Sequence, residues 1–259
     1  MSMAVNSSSN IQNLSQQLAS GNRINSAADD AAGLAISERM SAQERGLAQG
    51  TRNTADMQSL VNTAEGALSS INSNLQRLNE LGLQASNGIL TDSDRANIQH
   101  EVDQILENIN SIAQSTQFNT RNLLDGSSNN LHTASSPDGS GPTVSLPSMT
   151  LEDLGLEGFN VTELTNGRVD LSAIHNAMNM VNGARSELGA MSNRMDYIMT
   201  SNDISQLNLA SARSRIQDTD MAQATMELSR ERVLEQYQIA SQRREMEQLE
   251  TQNQRLFTL

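Results

Sequence analysis

Between Met57 and Ser86, apolar or small side chains recur at Met57, Val61, Ala64, Leu68, Ile71, Leu75, Leu78, Gly82 and Ala85, at spacings that alternate four and three. A 3.5-residue period held over about four heptads belongs to a helix that packs along other helices for its whole length. At roughly 1.5 Å per residue it predicts a rod about 45 Å long. Gln58, Asn62, Glu65, Ser69, Asn72 and Asn79 sit off the stripe. One helix cannot bury such a stripe alone, so the rest of the chain has to supply partners.

Two further stripes answer that need. Ser86-Asn87-Gly88 reads as the stop of the rod, and Thr91-Asp92-Ser93-Asp94 as the cap of a second helix carrying Ile98, Val102, Ile105, Ile109 and Ile112. So short a connection predicts an antiparallel hairpin. A third stripe runs through Leu171, Ile174, Met178, Val181, Leu188, Met191, Met195 and Ile198, and its helical pattern persists to Ile216. Asp218-Thr219-Asp220 then recaps a last helix over about 221–257.

Upstream, residues 1–10 read as a frayed start, and Ile11, Leu14 and Leu18 lead to a stop at Ser20-Gly21. Ser26 with Asp29 predicts an acidic capping box before the next helix, which Gly46 and Gly50 are expected to loosen. Residues 127–149 are rich in Ser, Asn, Gly and Pro, and Thr143–Leu146 alternates, so this stretch reads as loop or small hairpin. The fold class is mainly α: long antiparallel helices packed as a coiled-coil-like rod, with a small irregular or β-hairpin region in the middle. Its expected core is Val61, Leu68, Ile71, Leu78, Ile98, Val102, Ile105, Ile109, Leu188 and Met195.

Composition agrees. Aromatic residues make up 2% and Trp is absent, which suits narrow helix seams better than a thick layered core. The net charge of −13 argues against nucleic acid as a partner. No apolar run approaches the roughly 18 residues that span a bilayer, so no membrane partner is expected. The first residues lack the basic start and apolar core of a cleaved signal peptide, so export would take another route. Cysteine is absent, which removes disulfide and thiol chemistry.

No catalytic constellation stands out, and the chain reads as a non-enzyme without cofactor or metal. Asp29-Asp30 has no third ligand or histidine beside it, and reads as a helix start. His100-Glu101 would need a second histidine at position 104, which is Gln104; His132 and His175 stand alone. The methionines Met178, Met191 and Met195 fall on the third stripe and read as core filling.

Ordered blocks along the chain carry a resemblance. They are Leu18-Ala19-Ser20-Gly21-Asn22-Arg23-Ile24-Asn25-Ser26-Ala27-Ala28-Asp29-Asp30-Ala31-Ala32-Gly33, Leu75-Gln76-Arg77-Leu78-Asn79-Glu80-Leu81, Thr116-Gln117-Phe118-Asn119, Arg185-Ser186-Glu187-Leu188-Gly189 and Ser214-Arg215-Ile216-Gln217-Asp218. Together they resemble bacterial flagellins over about residues 11–240. The resemblance implies a core-only subunit of the extracellular flagellar filament, lacking the family's variable outer domains and expected to self-assemble through its heptad-patterned helices, whose faces would bury apolar area between subunits. Residues 1–25 and 218–259 would form the terminal helical domain. Residues 26–126 and 170–217 would form the two halves of the rod domain, and 127–169 its loop and short-strand region.

The same resemblance implies the partners: other copies of the chain, an export chaperone at the C-terminal segment, and hook-associated junction and cap proteins. Arg23, Ile24, Asn25, Asp29 and Asp30 would serve subunit contacts and helix capping. Leu75, Gln76, Arg77, Glu80, Leu81, Gln84 and Asn108 would form a face recognised by Toll-like receptor 5. Asn108 stands where strongly recognised flagellins often carry Glu, which predicts weaker recognition. Two departures fall in the channel-lining segments: about 19 residues precede the Ser20-Gly21 block, and Ser241–Glu250 carries five charges. They keep two alternatives open, a non-polymerising flagellin-like coiled-coil binding module and a hook–filament junction protein.

Overall fold

The structure is a computed structural model describing residues 2–164 and 167–257, with side chains over 9–164 and 167–251. In chain order its elements are α1 (Ser2–Ser20), α2 (Ala31–Ala85), α3 (Asp92–Ser115), β1 (Gln117–Phe118), β2 (Arg121–Asn122), β3 (Leu131–His132), β4 (Thr143–Val144), α4 (Ser172–Gln217) and α5 (Met221–Phe257). Two compact units emerge: residues 1–44 with 207–259, and residues 45–206. The division falls inside α2 and α4, rather than at the turns near 25 and 218.

In the unit of residues 45–206, the α2 stripe is the spine. Val61, Ala64, Leu68, Ile71, Leu75, Leu78 and Ala85 are each buried, and the four–three alternation extends upstream through Thr54 and Gly50. Arg77 reaches Glu101 and Arg95 reaches the Ala85 carbonyl, so α3 runs antiparallel to α2. Gln58 meets Asp196 and Glu65 meets Arg185, so α4 runs antiparallel as well. Of the expected core, Ile105 alone is half-buried; Leu106 takes the inward position, and α3 buries Ile98, Val102, Leu106, Ile109 and Ala113. A straight helix drifts against a strict 3.5 period, which moves the seam from residue 105 to 106.

The middle region is more than a connector. Leu131, Val144, Leu146, Met149, Leu154, Leu156, Val161 and Val169 belong to the same core as the rod. Its backbone is tied to the helices by side-chain amides: Asn53 Nδ2 donates to Ala134 O, Asn202 Nδ2 to Ser135 O, and Gln99 Oε1 accepts from Val161 N at 2.7 Å. These ties satisfy backbone groups that a loop packed on apolar helices would otherwise leave bare.

Gly46 and Gly50 do not loosen α2, which passes through both unbroken. They seat the loop: a Cβ at Gly50 would collide with the Ser135 carbonyl, and one at Gly46 would lie 2.7 Å from Pro137 Cβ. The strands form two antiparallel hairpins, β1–β2 and β3–β4. Asn119 and Thr120 turn the first, at φ 47 and 66°, the left-handed pair of a type I′ turn.

In the unit of residues 1–44 with 207–259, α1 packs along α5. Residues 2–10, expected to fray, are helical. Gly21 ends α1 at φ 73°. Asp220 Oδ1 caps α5 by accepting from Ala222 and Gln223 N–H. Arg213 pairs with Glu44 at 3.5 Å.

Candidate functional site

The turn at residues 22–30 joins α1 to α2 and also holds the end of α4. Arg23 N–H donates to Gln217 O, and Arg23 Nη2 donates to Ile216 O at 2.6 Å, next to a bridge between Asn22 and Asp218. A guanidinium on the last carbonyls of a helix satisfies orphan acceptors and complements the negative end of its dipole. Ile24 beside it is buried. Asn25 Nδ2 donates back to Asn22 O.

Asp29 and Asp30 divide the capping work differently from the expected box. Asp29 Oδ2 accepts from Ser26 N, Asn25 N and Ser26 Oγ, which holds its pKa below the ordinary carboxylate value through the Ser26 and Asn25 backbone and then the Ser26 hydroxyl. That closes a turn. Asp30 is the residue that caps α2, its Oδ1 accepting from Gly33 N at 2.8 Å. Each carboxylate is held by backbone N–H groups, the ordinary chemistry of a helix start.

The second candidate surface centres on Arg77. Its Nε and Nη2 both donate to Glu101 Oε1, at 2.8 and 2.6 Å, and Nη1 donates to Glu80 at 3.3 Å. This fork clamps α2 to α3 across the hairpin and raises the Arg77 pKa, chiefly through the bond to Glu101. Gln76, Glu80 and Gln84 lie exposed on α2, and Asn108 is exposed on α3.

Two members of the expected receptor face turn inward. Leu75 is a stripe residue with 0% exposure, and Leu81 is 1% exposed. The apolar residue presented beside Glu80 and Gln84 is Leu83, at 67%. The heptad holds the reason: position 81 adjoins the seam residues Leu78 and Gly82, whereas 83 repeats the outward register of Gln76 seven residues on.

The histidines stay apart. His132 Nε2 lies 3.0 Å from Gly139 O, and His100 and His175 are exposed on separate helices. Among the described residues no cluster of three metal-ligating side chains forms. No described helix is long and apolar enough to cross a membrane.

Two features carry no signal in the stripes. Arg95 is buried at the start of α3 and donates to Ala85 O, Leu90 O and Asn87 O, at 3.1, 2.8 and 3.3 Å. A basic residue on an otherwise apolar α3 face was the available clue. Among the described side chains of α5 the least exposed are Ala224, Leu228, Glu231, Glu235 and Gln238, a four–three seam with polar members. Its exposed large apolar residues, among the described side chains, are Met221, Met226, Val233, Leu234, Tyr237, Ile239, Met246 and Leu249.

Comparison with known proteins agrees with this architecture. Residues 1–129 match the bacterial flagellin N-terminal helical region, and residues 171–259 the bacterial flagellin C-terminal helical region. The chain is similar to a flagellin of Halalkalibacterium halodurans, 42% identical over 87% of this chain and 84% of that protein. It is also similar to the flagellar filament core protein flaB2 of Brachyspira hyodysenteriae, 37% identical over 86% of this chain and 84% of that one. Among solved structures, the crystal structure of Bacillus cereus flagellin aligns with a TM-score of 0.52 and 27% identity, covering 58% of this chain and 88% of that one.

Proposed function

The chain belongs to the bacterial flagellin family, and from that premise we propose that it polymerises through the exposed apolar side of α5 and not through the α2 stripe. It is a structural subunit of the flagellar filament, a component of the extracellular flagellum. The heptads build the subunit. Most of their apolar side chains are already buried within one copy, with only members such as Met57, Ile105, Met178 and Met191 half-buried, so they have little area left to bury between copies.

One observation carries the assembly reading. α5 turns Glu231, Glu235 and Gln238 inward together with Ala224 and Leu228, and leaves Val233, Leu234 and Tyr237 on its outer side in water, with Tyr237 at 73%. An apolar face with this orientation is unfavourable in an isolated chain and favourable once other copies cover it, at about 25 cal/mol per Å² buried. On α4, Tyr197 and Ile204 are similarly exposed, at 75 and 56%.

Negative-stain electron microscopy of the purified chain, before and after adding a precipitating salt, tests this. Filaments of uniform width are expected. Replacing Val233, Leu234 and Tyr237 together by Ser should abolish them while leaving the helical circular dichroism signal intact. Filaments that persist in that variant would move the interface elsewhere. Monomers under every condition would favour the non-polymerising binding module.

The remaining partners follow from the same premise. The chain takes an export chaperone on its C-terminal segment, 218–259, and meets junction and cap proteins at the filament ends. Gln76, Arg77, Glu80, Leu83, Gln84 and Asn108 form the face that Toll-like receptor 5 reads in the monomer. In a cell reporter assay, Arg77→Ala should lower the signal and Asn108→Glu should raise it. A signal unchanged by both would remove this face from the account.

A further inference from the structure

Asn-Gly occurs three times in the sequence, at Asn87-Gly88, Asn166-Gly167 and Asn182-Gly183. Asn166 lies outside the described residues. The other two sit in opposite settings: Asn182 lies inside α4, whereas Asn87 and Gly88 are exposed in the connection between α2 and α3. We propose that Asn87 is a site of spontaneous deamidation in the folded chain, converting through a succinimide mainly to isoaspartate.

The chemistry balances without a co-reactant beyond water. Gly88 N attacks Asn87 Cγ, the N–Cγ bond forms, the Cγ–Nδ2 bond breaks, and ammonia leaves with the proton of the attacking amide. Water then opens the ring. Addition at the Asn87 main-chain carbonyl carbon breaks its bond to Gly88 N, leaves the chain running through Cγ and frees an α-carboxylate.

The geometry serves each step. Gly88 N–H makes no hydrogen bond among the described residues, so no tie has to break before it attacks. Gly88 has no Cβ to obstruct the approach. Ile89 N donates to Asn87 Oδ1 at 3.3 Å, which polarises the amide carbonyl and places a donor where charge develops on ring closure. The Asn87 main-chain oxygen accepts from Arg95 Nη2, also at 3.3 Å. A guanidinium there favours water addition at that carbonyl and holds the carboxylate that results, which selects isoaspartate.

Competing sites are held back. Inside α4 the backbone around Asn182 is locked in helical hydrogen bonds, so cyclisation waits on local opening. Asp125-Gly126 and Asp138-Gly139 present carboxylates kept ionised by the Ser127 and Ser140 hydroxyls and N–H groups, and an ionised carboxylate is a poor electrophile. The product at residue 87 would add a negative charge one turn beyond Gln84 and lengthen the main chain of the connection that Arg95 clamps.

The test uses the purified full chain aged at mildly alkaline pH, in parallel with a urea-denatured sample. The chain has arginine as its basic cleavage residue, so trypsin isolates Asn87 in peptide 78–95 and Asn182 in peptide 169–185. In the folded chain, 78–95 should gain the mass of an amide-to-acid change on the order of a hundredfold faster than 169–185. In the denatured chain the two should convert alike. The isoaspartate share at residue 87 should be higher folded than denatured. Gly88→Ala, whose added Cβ meets open space, should leave the fold unchanged and slow the conversion. Equal rates at the two sites in the folded chain, or an inert 78–95 while the denatured sample converts, would overturn the proposal. An isoaspartate share no higher in the folded chain would overturn the role given to Arg95.

Discussion

Replacing Arg95 by Met tests how the α2–α3 hairpin is held. The aliphatic stem survives in Met, so what disappears is the guanidinium and its three bonds to Ala85 O, Leu90 O and Asn87 O. The Arg95 side chain is 8% exposed, and its nearest carboxylate, Asp92, lies 3.9 Å away and fully in solvent. That ion pair contributes little, within about 0.5 kcal/mol. The carbonyls are what hold the charge, and Ala85 O belongs to the last turn of α2, where the helix dipole is negative. Hydrogen bonds to a charged group contribute about 1.5–3 kcal/mol each, the 3.3 Å bond being the weakest, and orphaned carbonyls that reach water recover part of the loss. The sum points to about 3 kcal/mol. In urea this would lower the midpoint of the residue 45–206 unit by more than about 1 M. Hydrogen exchange should quicken first at residues 86–94. Asp92→Ala is the control and should be nearly silent. If Arg95→Met shifted the midpoint no more than Asp92→Ala, the clamp would be a passenger and the reasoning would fail.

Three other outcomes follow from the same structure. Gly50→Ala should destabilise by about 2–3 kcal/mol, because its Cβ meets the Ser135 carbonyl, while Gly66→Ala, facing open space on the same helix, should stabilise by about 0.5–1 kcal/mol in thermal melts. Thr120→Gly should stabilise by up to about 1 kcal/mol, since it releases a β-branched residue from φ 66°. Asp94 closes a capping box with Thr91 at the start of α3, and the Thr91 hydroxyl and then its N–H hold the Asp94 pKa below the ordinary 3.8. A folded-state pKa below the unfolded one gives stability that is complete above 3.8 and lost as pH falls through the lower folded value. Asp94→Asn should therefore flatten the acid limb of the stability curve and leave its slope above neutrality unchanged.

Periodicity and caps were legible in the residues, because they depend on neighbours three or four positions away. The α2 stripe, the antiparallel partner α3, the Thr91 cap, the Gly21 stop and the recap before α5 all follow from local chemistry. So does most of the core, with Ile105 yielding to Leu106 through helical drift. What the stripes could not determine depends on groups distant in sequence. Gly50 is a seat for a loop 85 residues away at Ser135, and nothing near Gly50 says so. Arg95 is basic in a buried place because the carbonyls it meets are produced by the end of another helix. Leu81 and Leu83 look equivalent as leucines, and packing decides that one is 1% and the other 67% exposed. The orientation of α5, which places Glu231, Glu235 and Gln238 in its inward seam and leaves Val233 and Tyr237 exposed, is likewise a tertiary fact. A helix's own pattern fixes which residues share a face, and the chain packed against it decides which face is covered.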